Sequence, residues 1–472
     1  MFEKQDWYTS LSRNFSFTPL LNCHSSQDHE MPLERLSEDN AWLSSFRIDQ
    51  VAHGDHTTPT VRIALFAFCL ILFTGCAGLT KQPPKRIAAI VTEYRHNSHA
   101  DVIVGRLLES HTLDGKGEFP NLKLVSLYTD QVPSNDTSRE LMRQNSVPIF
   151  TNIADALTLG TDRLAVDGVL LVAEHGNYPK NETGNVIWPK RRMFEAVAKV
   201  FRDSKDSVPV FCDKHLADNW RDAKWLYDTA HELKSPLMAG SSLPTLWRSP
   251  PEDVRRGAKL TQMVAISYHT LDAYGFHALE MVQCLAERRA NGETGVRQVR
   301  CLSGAAVWEA LDDGTIDEGL LQAAVDPLES SPVKRGNRSL MELAKEPTAM
   351  IVDYRDGFRA SVVTLNGAVN EWSVAWHEDG KTKATMFWTQ EARPFMHFTY
   401  LVKGIEQMFN TGKPSWSAAR TLYTSAILDA ALISLKRNGA AVSTPYLDIP
   451  YYSNWDWHQP PPPPAGRPIL EK

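Results

Sequence analysis

The sequence has little cysteine, and what it has is not arranged to bind a metal or to form a disulfide framework. Six cysteines are scattered over 472 residues, and no two of them form a Cys-x-x-Cys pair. Structural zinc sites use closely spaced ligand pairs, and disulfide scaffolds are short chains dense in cysteine. The sequence therefore argues against both, and we expect no metal site.

An excess of positive charge is also missing. The formal net charge is −6 at pH 7. Proteins that bind nucleic acid carry clusters of lysine and arginine that neutralise phosphates, so we expect no nucleic-acid partner. The apolar share of 43% and the charged share of 22% are those of an ordinary globular protein, and the length leaves room for two or three domains.

The apolar run near the N-terminus is too short to cross a membrane. Ile63–Phe73 has eleven residues, follows Arg62, and leads into the sequence FTGC, which ends at Cys76. A transmembrane helix needs about 20 apolar residues, whereas roughly 7 to 15 suit the core of a signal peptide. The ending resembles the lipobox of bacterial lipoproteins. That resemblance implies an exported protein that faces the periplasm and is anchored to the membrane through a lipid on Cys76.

The position of this segment is unusual, because a signal peptide should begin the chain. Residues 1–60 show neither a helical nor a strand period, and we expect them to be disordered or to precede the natural start. Residues 61–85 would then be the signal segment and its tether. The alternative is a signal anchor or a buried segment of a longer protein, and the alternative location is cytoplasmic.

From residue 86 onward, buried strands alternate with helical segments. RIAAIVTEY, LKLVSLYTD, VDGVLLVAE and VPVFCDKH are apolar runs typical of buried strands, and shorter strands at 148–150 and 235–244 complete a set of six. This alternation predicts an α/β domain over 86–244, with a Rossmann-like, doubly wound parallel sheet of the dinucleotide-binding type. Ligands of such sheets lie outside the carboxyl ends of the strands, so we searched those ends for functional residues.

The turn after the first strand, TEYRHNSHAD, has no glycine. A dinucleotide-binding sheet normally carries G-x-G-x-x-G there, because glycine lets the backbone approach a pyrophosphate. Arg95, His96, Asn97, Ser98 and His99 could still bind an anion through helix N-terminal amides and a cation. The alternative interpretation is a polar loop followed by a helix that Ser98 caps.

The second half of the chain changes character. The dipeptides DG at 356–357 and 379–380 and NG at 366–367 separate β-rich runs, which predicts an antiparallel meander. Together with several helices, these strands predict an α+β domain with a largely antiparallel sheet over 245–450, which would bind substrate or support a homo-oligomer. Residues 451–472 are expected to form a proline-rich tail.

The order of elements over residues 86–450 resembles the family of glucose–fructose oxidoreductase and inositol dehydrogenase (Gfo/Idh/MocA). That family carries a Glu-Lys-Pro motif after its fifth strand, and in CDKHLADNWRDA Lys214 matches the lysine while Asp213 and His215 replace its neighbours. The family's His-x-x-Asp is matched conservatively by His277-Ala-Leu-Glu280. The aspartate that precedes this motif in the family is replaced by alanine.

The resemblance implies an oxidoreductase that uses NAD or NADP to oxidise a sugar or a cyclic polyol. Lys214 would position the substrate or act as acid or base, His277 would accept the hydroxyl proton, and Glu280 would orient His277 or bind a sugar hydroxyl. The cofactor would be bound by residues at the strand ends, namely Arg95, His96, Asn97, Ser98, Asp130, Glu174, His175 and Asp213.

Other interpretations stay open for the same residues. Lys214 could be a solvated turn lysine, His277 a core histidine and Glu280 a surface carboxylate. The long insertion EHGNYPKNETGNVIWPKRR could be a substrate lid or a plain surface loop. At the level of function, the alternatives are a cofactor-free carbohydrate-binding lipoprotein, or a lyase or epimerase that uses Lys214 and His277 as an acid–base pair.

Overall fold

The computed structural model describes residues 83–462 of the chain. The expectations for residues 1–60, for the signal segment with Cys76, and for the end of the proline-rich tail fall outside the described residues and stay predictions. Among the helices that the structure describes, none is both long enough and apolar enough to span a bilayer.

Six parallel strands form the first sheet, in the spatial order β3-β2-β1-β4-β5-β6. This is the order of a doubly wound dinucleotide-type sheet, so the predicted Rossmann-like domain is confirmed. Successive strands are added on one side of β1 up to β3 and on the other side from β4 onward. The boundary between β1 and β4 is the switch point where such folds bind ligands. The strands are β1 Lys85–Val91, β2 Leu122–Thr129, β3 Ile149–Phe150, β4 Gly168–Val172, β5 Val210–Asp213 and β6 Leu237–Gly240.

Helices cover both faces of this sheet, as a buried parallel sheet requires. Ile87 and Val91 of β1 face one hydrophobic core, whereas Ala88 and Ile90 face another. The helices that connect the strands are α1 His99–Val104, α2 Arg106–Glu109, α3 Ser138–Gln144, α4 Ile153–Thr158, α5 Lys190–Ser204 and α6 Trp220–Glu232. A helix of the second half, α11 (His397–Thr411), packs into the core on the face of α1.

The second sheet has eight strands in the order β14-β9-β10-β11-β8-β12-β13-β7, and it is antiparallel except where β8 pairs with β11. Its strands are β7 Trp247–Ser249, β8 Leu260–Ser267, β9 Val296–Ser303, β10 Thr348–Tyr354, β11 Arg359–Thr364, β12 Trp372–Glu378, β13 Lys381–Trp388 and β14 Val442–Ser443. Its helices are α7 Phe276–Ala286, α8 Ala305–Asp312, α9 Glu318–Val325, α10 Leu340–Leu343 and α12 Ala418–Lys436. The predicted α+β architecture is confirmed.

One prediction within this sheet is wrong. The DG dipeptides at 356–357 and 379–380 do join neighbouring antiparallel strands, β10 to β11 and β12 to β13. The NG at 366–367 does not, because β8 lies between β11 and β12 and pairs with both. Since residues 263–267 of β8 are all buried, this strand suits the centre of the sheet better than its edge.

Candidate functional site

Glu174 is the centre of a buried charge cluster at the carboxyl ends of β4 and β5. One carboxylate oxygen bonds the ammonium group of Lys190, and the other lies 3.2 Å from Nζ of Lys214. Lys190, at the start of α5, also donates to the backbone carbonyls of Asp213 (2.8 Å) and His215 (2.7 Å). The cluster therefore fixes the loop after β5 against the loop after β4.

The two lysines of this cluster differ in their access to solvent. The side chain of Lys190 is 0% exposed and is surrounded by its three acceptors, whereas the side chain of Lys214 is 11% exposed. Lys214 also has a left-handed backbone conformation, with φ of 55°. Such a conformation costs roughly 1–3 kcal/mol in a non-glycine residue and is found mostly where surrounding structure or function demands it. Because its side chain is largely buried in the cluster, Lys214 is not a solvated turn residue.

His99, which is partly exposed, forms a short hydrogen bond with the buried Asp213. Nδ1 of His99 lies 2.6 Å from Oδ2 of Asp213, although the two residues are 114 positions apart in the chain. Burial alone would raise the pKa of Asp213, but the charges of His99, Lys214 and Lys190 and the hydrogen bond to His99 lower it. Asp213 is therefore an ionised acceptor at neutral pH that holds one nitrogen of the imidazole. Sequence reasoning missed this partnership, since no spacing signal links the two positions.

His277 is held in a similar way from the second half of the chain. It lies in the first turn of α7, and its Nδ1 is 2.6 Å from Oγ of Ser241, which follows β6. Ser241 Oγ also accepts the backbone N–H of Leu243 at 3.0 Å. Burial, followed by the charges of Lys214 and His99, lowers the pKa of His277 well below its usual value. His277 is thus a neutral imidazole that can accept a proton at pH 7.

Glu280 is fully buried, so the surface-carboxylate alternative is wrong. It accepts hydrogen bonds from the Thr424 hydroxyl (2.7 Å) and from the backbone N–H of Ser241 (3.4 Å). Burial raises its pKa. Because its described bonds run to Ser241 and not to His277, Glu280 supports the residue that orients the imidazole.

Two further histidines complete the cluster. Nδ1 of His175 accepts the backbone N–H of His99 at 3.4 Å, and burial lowers the pKa of His175. His215 is buried, packs on Phe276, and has no hydrogen-bond partner on either ring nitrogen within the described part of the chain. Burial and the neighbouring lysines lower its pKa as well.

The glycine-free turn before α1 uses its own polar groups internally. Ser98 Oγ accepts the N–H groups of Arg95 (3.2 Å) and Asp101 (3.3 Å), and the Asp101 carboxylate accepts the N–H of Asn97 (2.8 Å). The guanidinium of Arg393, from the second half, binds the same carboxylate at 2.7 Å. The anion that this turn binds is therefore the protein's own Asp101 carboxylate.

Asp130, after β2, is also engaged. Its two oxygens receive hydrogen bonds from Tyr128 (2.8 Å), from Tyr178 (2.7 Å), and from Arg192 at 2.7 and 2.8 Å. Tyr178 belongs to the insertion after β4, and the nearby Gln131 exchanges two hydrogen bonds with the backbone of residue 177. Hydrogen bonds therefore hold the insertion against the residues that follow β2.

These bonds test whether the residues present fit a nicotinamide dinucleotide. That group needs free amides for its pyrophosphate and a free carboxylate for its ribose. In residues 83–462, the amides of Asn97, His99 and Asp101 are bonded within the chain, and Asp130 receives four hydrogen bonds. As arranged, these residues do not fit a dinucleotide held by the usual contacts, and His96 is exposed at the surface of the turn.

Metal ligands are not grouped in the described region. Across residues 83–462, no three side chains of histidine, cysteine, aspartate or glutamate come together in a way that could hold a metal ion.

Comparison with known proteins gives similar folds only. No family model and no curated protein matches the chain. GenD2 from gentamicin A biosynthesis, solved in complex with NAD, is 12% identical with a TM-score of 0.49, over 78% of this chain and 99% of that one. A probable dehydrogenase from Thermotoga maritima is 13% identical (TM-score 0.48, 77% and 99% covered). Scyllo-inositol dehydrogenase from Lactobacillus casei is 12% identical (TM-score 0.47, 77% and 99% covered).

The fold thus consists of a doubly wound parallel domain joined to a mixed-sheet domain. Similarities this low do not establish activity, and membership of the family named above stays a prediction.

Proposed function

We propose that this chain is an enzyme that acts on a sugar or a cyclic polyol by acid–base chemistry at the carboxyl edge of the parallel sheet. The observation that carries the proposal is His277, a neutral imidazole whose Nδ1 is fixed by Ser241 and whose pKa is lowered by burial and by the charge of Lys214. A proton acceptor at the same edge as an ammonium group suits removal of a proton from a hydroxyl or from a carbon next to a carbonyl, because in both cases the ammonium stabilises the oxygen that becomes negative.

The roles follow from the contacts. His277 accepts a proton from the substrate, Lys214 binds the substrate oxygen on which negative charge develops, and Glu174 holds Lys214 in place through its second oxygen. Ser241 and Glu280 set the orientation of His277. In this proposal, Glu174 and Asp213 position active groups, and they do not bind a cofactor.

The first candidate reaction is the one expected from the family resemblance, the oxidation of a hydroxyl to a carbonyl. That reaction needs a hydride acceptor, and NAD or NADP would supply it. Since the amides of the turn and the carboxylate of Asp130 are bonded within the chain, the residues do not fit the dinucleotide, and we derive no step through it.

The second candidate reaction is a lyase or epimerase reaction that needs no cofactor. It is favoured by the same bonds, which occupy the usual dinucleotide contacts, and by the presence of more than one histidine at the site. A carbohydrate-binding protein without activity is the third candidate, and no described contact favours it over an enzyme.

Dinucleotide binding separates the two reactions. We would titrate NADH and NADPH into the full-length chain and follow energy transfer from its thirteen tryptophans. Saturable binding at micromolar concentrations that is weakened by Asp130→Asn would establish the oxidoreductase. Binding of neither cofactor would exclude it and leave the cofactor-free reaction and the carbohydrate-binding protein. Glu232→Gln, an exposed substitution at the end of α6, serves as the matched control.

Export and anchoring are separate proposals. We propose a lipid on Cys76 and a periplasm-facing location, based on the FTGC sequence that ends at this residue. Labelling of the expressed protein with a fatty-acid analogue tests this, since Cys76→Ser should abolish the label. A label that persists in the variant would exclude Cys76 as the anchor.

The homo-oligomer is a separate proposal. Size-exclusion chromatography with light scattering tests it.

A further inference from the structure

The pair formed by His99 and Asp213 lies at the same edge of the sheet as Lys214. Asp213 is buried and ionised, and it binds Nδ1 of His99 at 2.6 Å. A carboxylate that holds Nδ1 places the proton of a neutral imidazole on that nitrogen and leaves Nε2 as a proton acceptor. The His99 side chain is 15% exposed, so the ring is not sealed inside the core.

The ring of His99 is fixed by more than this one bond. It packs edge-on against Phe398 of α11, with ring centroids 5.1 Å apart, and against His175 at 5.3 Å. Its backbone N–H also bonds His175. An imidazole held by a carboxylate and by two aromatic neighbours loses little conformational entropy when it reacts, as pre-organised acid–base groups require.

His99, from the parallel domain, and His277, from the second half of the chain, are oriented in the same way. Each has its Nδ1 held by a polar side chain, Asp213 for the first and Ser241 for the second. The backbone brings the two pairs together: the N–H of Lys214, the residue after Asp213, donates to the carbonyl of Gly240, the residue before Ser241, at 3.2 Å. The two oriented imidazoles and the ammonium-bearing residue Lys214 are therefore anchored at one edge of the sheet.

We propose that His99 is a second acid–base residue of this site, and that the substrate is a sugar or cyclic polyol that carries a carbonyl group beside a C–H bond. This inference rests on the acid–base enzyme proposed above and deepens it. Two imidazoles and a cation suit a carbonyl compound. One imidazole can remove a proton from the carbon next to the carbonyl, the other can return one, and the cation can stabilise the enolate, so no hydride acceptor is needed.

The step balances without a cofactor. One imidazole Nε2 takes the proton from the carbon next to the carbonyl, and the electrons of the broken C–H bond form a C=C bond. The carbonyl π electrons move to oxygen, and the ammonium of Lys214 stabilises the resulting enolate. The other imidazole, protonated, returns a proton to the carbon and the carbonyl re-forms. The product is the epimer of the substrate, with no net change in oxidation state.

The experiment follows exchange of carbon-bound hydrogen with solvent. The full-length chain, without any nucleotide, is incubated in D2O with fructose, glucuronate, galacturonate and 2-keto-myo-inositol. Binding of each compound is measured by saturation-transfer NMR, and deuterium incorporation is measured by mass spectrometry. We expect at least one bound compound to incorporate deuterium, and His99→Gln to lower that rate by about 100-fold or more, in line with loss of an acid–base group.

Two further variants make the result specific. Asp213→Asn keeps the shape of the pair but removes the charge that holds His99, and it should slow exchange while binding is kept. His231→Gln, an exposed histidine that bonds the backbone carbonyl of Tyr227, should exchange at the wild-type rate. Thermal unfolding confirms that each variant is folded, and Asp213→Asn decides the question if His99→Gln does not fold.

Failure of this inference differs from failure of the proposed function. If a compound binds and the wild type shows no exchange, or if both variants exchange at the wild-type rate, His99 is not a second acid–base residue. If no compound of the panel binds, the proposed sugar or polyol enzyme is itself contradicted, and the inference is overturned with it.

Discussion

The two lysines that share Glu174 should lose different amounts of stability on the same substitution. Lys190→Met removes a fully buried ammonium group with three acceptors, one of them charged. Removing one partner of a buried ion pair costs about 3–5 kcal/mol, because the other charge stays buried without compensation. Lys214 still contacts Glu174 in this variant, so we expect the lower end, a loss of about 3 kcal/mol in the free energy of unfolding.

Lys214→Met should cost much less. This ammonium lies 3.2 Å from the Glu174 carboxylate, and its side chain is 11% exposed. We expect a loss of roughly 1 kcal/mol, below the about 3–5 kcal/mol that follows when a buried charge is left without a partner. Glu174 keeps its bond to Lys190 in this variant, so no buried charge is left alone.

Urea unfolding followed by circular dichroism measures both losses. Lys199→Met, on the exposed face of α5 with an i,i+4 partner in Asp203, is the matched control and should change stability by roughly 0.5 kcal/mol or less. Equal losses for Lys190→Met and Lys214→Met would refute the division between a structural lysine and a functional one. A large loss for Lys214→Met alone would reverse it.

Two other predictions concern the same edge. Gly240→Ala would place a Cβ 2.5 Å from Oε2 of Glu280 at a φ of 122°, and we expect a loss of about 2 kcal/mol or more in urea unfolding. Gly314→Ala, also at a positive φ (74°) but facing open space, should lose less, and equal losses would contradict the clash. Burial, helped by the charge of Arg106, lowers the pKa of His397 to about 3. Unfolded histidine binds a proton near pH 6.5, so stability is lost as pH falls below that value, by about 2 kcal/mol at pH 5 from this residue. His397→Gln should flatten the pH dependence of unfolding, and an unchanged slope would contradict the prediction.

The parallel domain could be predicted from the sequence because each of its strands is marked by local composition. Apolar runs such as VDGVLLVAE are buried on both faces, and helices of matching length separate them, so strand order follows from general topological rules. The carboxyl-edge position of Lys214 followed in the same way. The insertion of β8 between β11 and β12 did not, since the NG signal at 366–367 reports a local turn and not the partner of each strand.

The partners of the site residues could not be predicted for a related reason. His99 meets Asp213 from 114 positions away, and Ser241 meets His277 from 36 positions away. Neither separation is fixed by a helix or strand period. The hydrogen bond from Tyr178 to Asp130 likewise depends on how a long insertion folds back. The sequence alone left a choice between a substrate lid and a surface loop for this insertion.

The central claim is that the carboxyl edge of the parallel sheet binds a sugar or cyclic polyol through Lys214 and His277. Saturation-transfer NMR of the full-length chain with a panel of inositols, hexoses, uronic acids and keto-sugars tests it most directly, with the double variant Lys214→Met/His277→Gln in parallel. The account predicts transfer to at least one compound in the wild type and its loss in a folded double variant. No transfer to any compound, or equal transfer in both proteins, would contradict the account.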